Sequence, residues 1–139
     1  MKTTPFIQNT SAIDVKMGTH KDASINSMLI QITEPAGWRV EPNNQFREIY
    51  HFEFLDADGG FPEECLISDD QAVAIAKLLT RALANNTNVI VHCVAGIARS
   101  GAVAEVGVMM GFTDTKKYRQ PNVRVKTKLM NALGLGYAQ

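Results

Sequence analysis

Apolar residues along the chain form short continuous runs and longer stretches with helical spacing. The short runs cover residues 28–32, 48–54 and 88–92, and they are rich in β-branched and aromatic side chains. Such runs predict strands, and the first is followed by a turn signal, Glu-Pro-Ala-Gly, at residues 34–37. We therefore predict three strands with polar connections.

Three other stretches predict helices. Ser68 and Gln71 have the spacing of a capping box, so a helix is expected from Ser68 to the Asn-Asn pair at residues 85–86. Two more helices are expected over residues 100–110 and 123–133, each closed by a glycine. Because a helix joins the second and third strands, the crossover implies parallel pairing.

These elements predict one domain over residues 1–139, an α/β three-layer sandwich with a mostly parallel sheet flanked by helices. Residues 1–21 are weakly patterned and predict at most one short strand. His20 has no ligand spacing to a second His or Cys, which favours a surface residue over a metal ligand. Trp38, the only tryptophan, is expected to fill the core or a loop rather than to hold substrate.

The segment His92–Ser100, with sequence HCVAGIARS, follows the third strand and opens a helix. A loop at a helix N-terminus turns free N–H groups toward one point, and the helix dipole adds positive charge there. Gly96 lets the backbone bend sharply at the centre of this loop. Cys93 at its base is expected to be a thiolate at neutral pH, since such settings lower a thiol pKa from about 8.5 into the range of roughly 3.5 to 7.5.

Three neighbours of Cys93 complete this predicted anion site. The planar fork of Arg99 can hold two oxygens of a phosphoryl group. Ser100 can donate its hydroxyl to the sulfur and help it depart, whereas His92 is better suited to orienting the loop than to moving a proton. These residues together predict phosphoryl chemistry at a thiolate.

The residues His92-Cys93, Gly96 and Arg99-Ser100 resemble the H-C-x-x-G-x-x-R-S signature of the cysteine-dependent protein tyrosine phosphatases, most closely the small dual-specificity-like branch. The resemblance runs from about residue 28 to residue 133. It implies hydrolysis of phosphate monoesters through a cysteinyl-phosphate intermediate, with no metal and no cofactor. The substrate-binding positions would be Val94, Ala95, Gly96, Ile97, Ala98 and Arg99.

The resemblance also implies a general acid, because the leaving oxygen of a phosphate ester needs a proton. In that family the donor is an Asp on a loop after a strand, some thirty to forty residues before the Cys. Asp56 and Asp58 both lie there, and Phe54-Leu55-Asp56 is closest to an F-x-D pattern, so Asp56 ranks first. Either acid alone could instead form the turn beside Gly59-Gly60.

The expected partner is a phosphorylated protein or peptide, and phosphate or sulfate can occupy the loop. The variable loop positions carry no Lys or Arg, which argues against phosphoinositides. Phosphotyrosine, phosphothreonine and an RNA 5′-phosphate remain open. Two other functions remain open as well: a phosphate-binding pseudophosphatase or interaction module, and a thiol enzyme such as a sulfurtransferase or arsenate reductase. Arsenate reduction needs a resolving thiol, for which Cys65 is the only candidate.

Composition and charge limit the partners and the cellular location that the sequence predicts. Lys plus Arg number 14 and Asp plus Glu number 14, so net charge disfavours nucleic acid as a partner. No apolar run is long enough to span a membrane, and the first residues lack a signal-peptide pattern, which predicts a cytoplasmic protein. Acids dominate residues 41–70, whereas residues 116–128 contain bases and no acid. The basic cluster is either solvated surface or a means of steering a phosphorylated substrate.

Overall fold

A computed structural model describes residues 4–20 and 25–135 of the chain. In the described part, a sheet of five parallel strands has the order β3-β2-β4-β1-β5. The strands are β1 Phe6–Ser11, β2 Ser27–Thr33, β3 Glu48–Glu53, β4 Asn88–Cys93 and β5 Thr113–Asp114. The helices are α1 Ala12–Met17, α2 Asp69–Ala84, α3 Arg99–Met110 and α4 Val123–Ala132, with a short 3₁₀ turn at Glu63–Cys65.

Helices cover both faces of the sheet, which confirms the predicted three-layer α/β architecture. Val89 and Val91 of β4 face the larger core beneath α2, α3 and α4. Ile90 points the other way and packs with Leu29 and with Val15 of α1. Because side chains alternate along a strand, Cys93 belongs to the α2–α4 side and His92 to the α1 side.

Local signals explain where the helices begin. Ser68 Oγ accepts a hydrogen bond from the Gln71 N–H at 3.1 Å, and the Ser68 N–H donates one to Gln71 Oε1 at 3.0 Å. This capping box was predicted, and it begins α2. By contrast, α3 follows Ala98, which provides no side-chain cap. Ala98 therefore satisfies none of the first N–H groups of α3.

The prediction for the N-terminal region was incomplete. It allowed one short strand, which is β1 and lies between β4 and β5, but it did not include the helix α1. The pattern failed because Gln8, Asn9 and Thr10 are polar but buried inside the sheet. A strand whose polar side chains serve a neighbouring loop lacks the apolar alternation that sequence analysis depends on.

Two predictions about single residues were wrong. His20 is only 8% exposed, and its ring lies 5.9 Å from that of Phe46, so it is not a surface residue. Trp38 does not fill the core or a loop, because it is 73% exposed. The Lys16 ammonium lies 5.4 Å from the centroid of its ring. Within residues 4–20 and 25–135, no helix is long and apolar enough to cross a membrane.

Candidate active site

The segment between β4 and α3, residues 93–99, is called the phosphate loop below. It leaves the carboxyl end of a strand near the middle of a parallel sheet, where α/β proteins usually bind ligands. Its carbonyl groups are bound by surrounding backbone and side chains. The bonds are Ala12 N to Val94 O (3.2 Å), Asn9 Nδ2 to Gly96 O (2.7 Å), Gln120 N to Ile97 O (3.1 Å) and Asn122 N to Ala98 O (3.0 Å).

This pattern leaves the opposite side of the loop backbone for a ligand. The N–H groups of residues 95–98 donate to no acceptor in the described part of the chain. With the carbonyls turned outward and held, these donors and the uncapped start of α3 form an anion-binding concavity.

Gly96 is required at the centre of the loop. Its φ is +76°, a left-handed conformation that side chains disfavour. A Cβ there would lie 2.4 Å from the Thr10 carbonyl carbon and 2.5 Å from the Ser11 nitrogen. The loop can therefore lie against β1 only because residue 96 has no side chain.

Cys93 lies at the base of the loop and is 3% exposed. Its Sγ is 3.1 Å from the Ser100 Oγ and 3.5 Å from the Ser100 N–H. Both Ser100 groups can donate a hydrogen bond to this sulfur. The structure thus brings together Cys93 and Ser100 as the sequence predicted.

Arg99 is 4% exposed and is held by two contacts. Its Nη1 donates to the Phe54 carbonyl at 3.0 Å, and its Nη2 donates to Glu34 Oε1 at 2.9 Å. Its Nε is buried and has no partner in the described part of the chain. A buried guanidinium that still has an unused donor is ready to bind an anion.

Glu34, which the sequence analysis treated only as part of a turn, fixes this guanidinium. Burial would raise the pKa of Glu34, but hydrogen bonds from its own N–H and from Arg99, together with the Arg99 charge, outweigh burial and lower that pKa. Glu34 therefore stays ionised beside Arg99 at neutral pH. A carboxylate this close holds the fork in one orientation.

His92 lies beneath the loop and is 1% exposed. Burial is the main reason that the pKa of His92 is lowered to about 4. The charges of His51 and Arg99 lower this pKa further, whereas a contact with the Cys93 backbone raises it. Neither ring nitrogen makes a well-formed hydrogen bond to a described residue. A neutral, enclosed imidazole fits the predicted structural role and not proton transfer.

Asp56 and Asp58 lie in the segment of residues 55–61, called the acid loop below, and both are exposed. Asp56 Oδ1 accepts a hydrogen bond of 2.9 Å from Asn122 Nδ2. The Asn122 N–H in turn donates to Ala98 O in the phosphate loop, so one residue joins the two loops. Asp58 has no side-chain hydrogen bond or ion pair in the described part of the chain.

Other residues from the sequence analysis lie outside this cluster. Cys65 and Cys93 are both free thiols, and the Cys65 backbone carbonyl accepts from the Leu55 N–H at 2.7 Å. No group of three or more His, Cys, Asp or Glu side chains within the described ranges is arranged to hold a metal ion.

The basic stretch at residues 116–128 is largely paired with acids. The pairs are Lys117–Asp14, Arg119–Glu105, Arg119–Asp114, Arg124–Glu63, Lys126–Glu105 and Lys128–Asp69. Arg124 and Lys128 thus bind acids that come from the acidic stretch at residues 41–70. These contacts favour the interpretation as ordinary surface over substrate steering.

Sequence reasoning missed three residues of the site: Asn9, Glu34 and Asn122. Asn9 Nδ2 donates to Gly96 O and also to Tyr118 O at 2.9 Å, which fastens the phosphate loop to the segment before α4. The buried polar residues of β1 and the Pro-Asn pair before α4 were visible signals. Their partners, however, lie far along the chain and could not be inferred.

Comparisons with known proteins agree with this geometry. A model of the protein-tyrosine phosphatase family matches residues 7–131. Among solved structures, the tyrosine phosphatase OH1 from the Orf virus is 26% identical with a TM-score of 0.50, over 79% of this chain and 58% of OH1. OH1 is described as having distinct structural features and triple substrate specificity.

The chain therefore spans 58% of the length of OH1. The archaeal phosphatase Tk-PTP in its active form is 14% identical with a TM-score of 0.44, over 99% of this chain and 85% of Tk-PTP. A search of curated proteins found no match.

Proposed function

Because the chain belongs to the protein-tyrosine phosphatase family, we propose that it hydrolyses phosphate monoesters through a cysteinyl-phosphate intermediate. The observation that carries the proposal is the phosphate loop itself. Its carbonyl groups are bonded to neighbouring segments, and among residues 4–20 and 25–135 neither its N–H groups at residues 95–98 nor Arg99 Nε has an acceptor, which leaves these donors for a ligand next to Cys93. This arrangement suits the charge that phosphoryl transfer places on the equatorial oxygens.

In the first step, Cys93 Sγ attacks phosphorus and a sulfur–phosphorus bond forms. The bond from phosphorus to the ester oxygen breaks, and the leaving oxygen takes a proton from Asp56. The loop N–H groups and Arg99 bind the other phosphoryl oxygens throughout. The products of this step are the free alcohol or phenol and phosphorylated Cys93.

In the second step, a water molecule attacks phosphorus and gives a proton to the carboxylate of Asp56. The sulfur–phosphorus bond breaks and inorganic phosphate forms. Sulfur leaves as a thiolate, and the Ser100 hydroxyl, 3.1 Å away, stabilises it by donating a hydrogen bond. The chain returns to its starting protonation state, with Asp56 protonated and Cys93 ionised.

The substrate class we propose is a phosphorylated protein or peptide, with phosphotyrosine first and phosphoserine or phosphothreonine as a second specificity. The related OH1 is described as a tyrosine phosphatase with triple substrate specificity. Val94, Ala95, Ile97 and Ala98 offer no cation for a second phosphate, which speaks against polyphosphorylated lipids. A nucleophilic thiol must stay reduced, so we also propose that the reaction takes place in the cytoplasm.

The contact between Asp56 and Asn122 favours an enzyme over a module that only binds phosphate. A module that only binds phosphate needs no acid next to its phosphate loop. In this chain, however, Asp56 is hydrogen-bonded to Asn122, and Asn122 is hydrogen-bonded to Ala98 of the phosphate loop. An arsenate reductase would need Cys65 as a resolving thiol, and no described contact joins its sulfur to that of Cys93.

The decisive experiment compares the unmodified chain with Cys93→Ser. We expect Cys93→Ser to bind vanadate or phosphate but to lose turnover of phosphotyrosine peptides and of p-nitrophenyl phosphate. Rapid quenching of the unmodified chain with labelled substrate should trap phosphate on Cys93. Substantial residual turnover in Cys93→Ser, or label on another residue, would remove Cys93 from this role.

A further inference from the structure

Hydrogen bonds of Asn122 reach three separate segments of the chain. Its side-chain Nδ2 donates to Asp56 Oδ1 at 2.9 Å, and its backbone N–H donates to Ala98 O at 3.0 Å. Its side-chain Oδ1 accepts from the Val125 N–H at 3.0 Å and so caps α4. One residue therefore connects the acid loop, the phosphate loop and the start of a helix.

Two of these bonds fix the position of the Asn122 side-chain amide. The backbone bond to Ala98 ties residue 122 to the last turn of the phosphate loop, and the helix cap fixes its side-chain rotamer. The remaining donor, Nδ2, can then reach only a carboxylate in one place. Asp56 fills that place, and Asp58 does not.

The contact also influences which oxygen of Asp56 carries a proton. An amide N–H needs a lone pair, so Asp56 Oδ1 acts as acceptor in this bond. Because the carbonyl oxygen of a carboxylic acid is its better acceptor, this bond favours a proton on Oδ2. The bond thus keeps the acid loop beside the phosphate loop and leaves Oδ2 as the donating atom.

We propose that Asn122 is a positioning residue that holds Asp56 for proton donation to the leaving oxygen. The proposal rests on the proposed function, in which Asp56 is the general acid. Asn122 touches neither the sulfur nor the phosphoryl group in this mechanism. Its whole contribution passes through Asp56.

The test is Asn122→Ser. Serine is as good an N-cap as asparagine, so α4 keeps its cap, but its hydroxyl is too short to reach Asp56. Activity is measured on p-nitrophenyl phosphate, whose leaving oxygen needs little protonation, and on phenyl phosphate, whose leaving oxygen is far more basic. We expect kcat/KM to fall about 10- to 100-fold for phenyl phosphate and less than about threefold for p-nitrophenyl phosphate.

Lys128→Ala is the matched control. It removes the Lys128–Asp69 ion pair, also made by α4, without touching Asp56. We expect it to leave the ratio of the two activities unchanged. If Asn122→Ser does not fold, Asn122→Asp replaces it, since Asp keeps the capping oxygen and loses the donor.

A double-mutant cycle tests the role of Asn122 separately from the proposed function on which it rests. In an Asp56→Asn background, Asn122→Ser should change the activity ratio no further, because its effect acts through Asp56. The inference is overturned if Asn122→Ser slows both substrates equally, or if its effect adds fully to that of Asp56→Asn. If the unmodified chain hydrolyses neither ester, the proposed function itself fails. If Asp56→Asn alters the ratio and Asn122→Ser does not, only the inference fails.

Discussion

The phosphate loop and the acid loop lie at the same edge of the sheet, but the protein holds them in opposite ways. The phosphate loop has its carbonyls bonded to surrounding segments, and its Cys93 and Arg99 are almost inaccessible. The acid loop is exposed, and the side-chain contact of Asp56 is one hydrogen bond to Asn122. In the proposed mechanism, the groups that would bind phosphate are thus held by several hydrogen bonds, whereas the proposed proton donor depends on its contact with Asn122.

This difference predicts two kinds of defect. Damage to the phosphate loop should slow every phosphate ester, because every ester places the same charge on the phosphoryl oxygens. Damage to the acid loop should slow only esters whose leaving oxygen is basic, because only these need a proton in the transition state. The activity ratio of two substrates therefore distinguishes the two regions.

The largest effect is expected for Arg99→Lys. A lysine ammonium cannot bind two oxygens in one plane, so kcat/KM should fall about 100-fold or more on phenyl and p-nitrophenyl phosphate alike. Glu34→Gln keeps the guanidinium but weakens its anchor, and we expect a loss of about tenfold on both substrates. Steady-state kinetics measure both losses. A change smaller than about tenfold for Arg99→Lys, roughly 1.4 kcal/mol, would contradict clamping by the guanidinium.

The next largest effect separates the two acids. Asp56→Asn should lower kcat/KM for phenyl phosphate or a phosphotyrosine peptide about 100-fold and spare p-nitrophenyl phosphate. It should also flatten the limb of the pH profile on which activity falls as pH rises. Asp58→Asn, two residues away and without the Asn122 contact, is the matched control and should do neither. If Asp58→Asn alone shows the pattern, the acid role passes to Asp58.

How far the sequence predicts this molecule depends on how local each signal is. The capping box at Ser68 and Gln71 and the apolar run of β4 can be recognised from a few neighbouring residues, and both were predicted. The architecture followed, because a helix between two apolar runs implies a parallel crossover. The phosphate loop was found for the same reason, since its residues are contiguous.

What sequence reasoning missed depends on contacts between distant residues. Asn9 is buried because it bonds Gly96, 87 positions away, and the Glu34 carboxylate meets Arg99 at a separation of 65. Asn122 and Asp56 are 66 positions apart. A polar residue in a strand or turn does not reveal such a partner, so the place of β1 inside the sheet was not predicted and Glu34 was taken for part of a turn.

The smallest effect at neutral pH is expected beneath the phosphate loop, at His92. Its pKa is about 4 in the folded chain, because burial disfavours the imidazolium, against an ordinary value of 6.5. As pH falls from 7 to 5, the unfolded chain binds a proton there that the folded chain does not. Folding stability must therefore decrease, by about 2 kcal/mol from this residue, and it is retained above the unfolded pKa.

His92→Gln should remove this part of the pH dependence while leaving the acid loop unaffected. Urea unfolding at pH 7 and pH 5 measures the change in unfolding free energy for each chain, so any constant cost of the substitution cancels. The carboxylates with lowered pKa, Glu34 among them, lose their contribution only as pH falls below about 4.5, outside this interval. NMR titration of the His92 ring in the folded chain gives its pKa directly. If both chains lose equal stability between pH 7 and pH 5, the imidazole is solvated, and the region beneath the phosphate loop is as open to water as the acid loop.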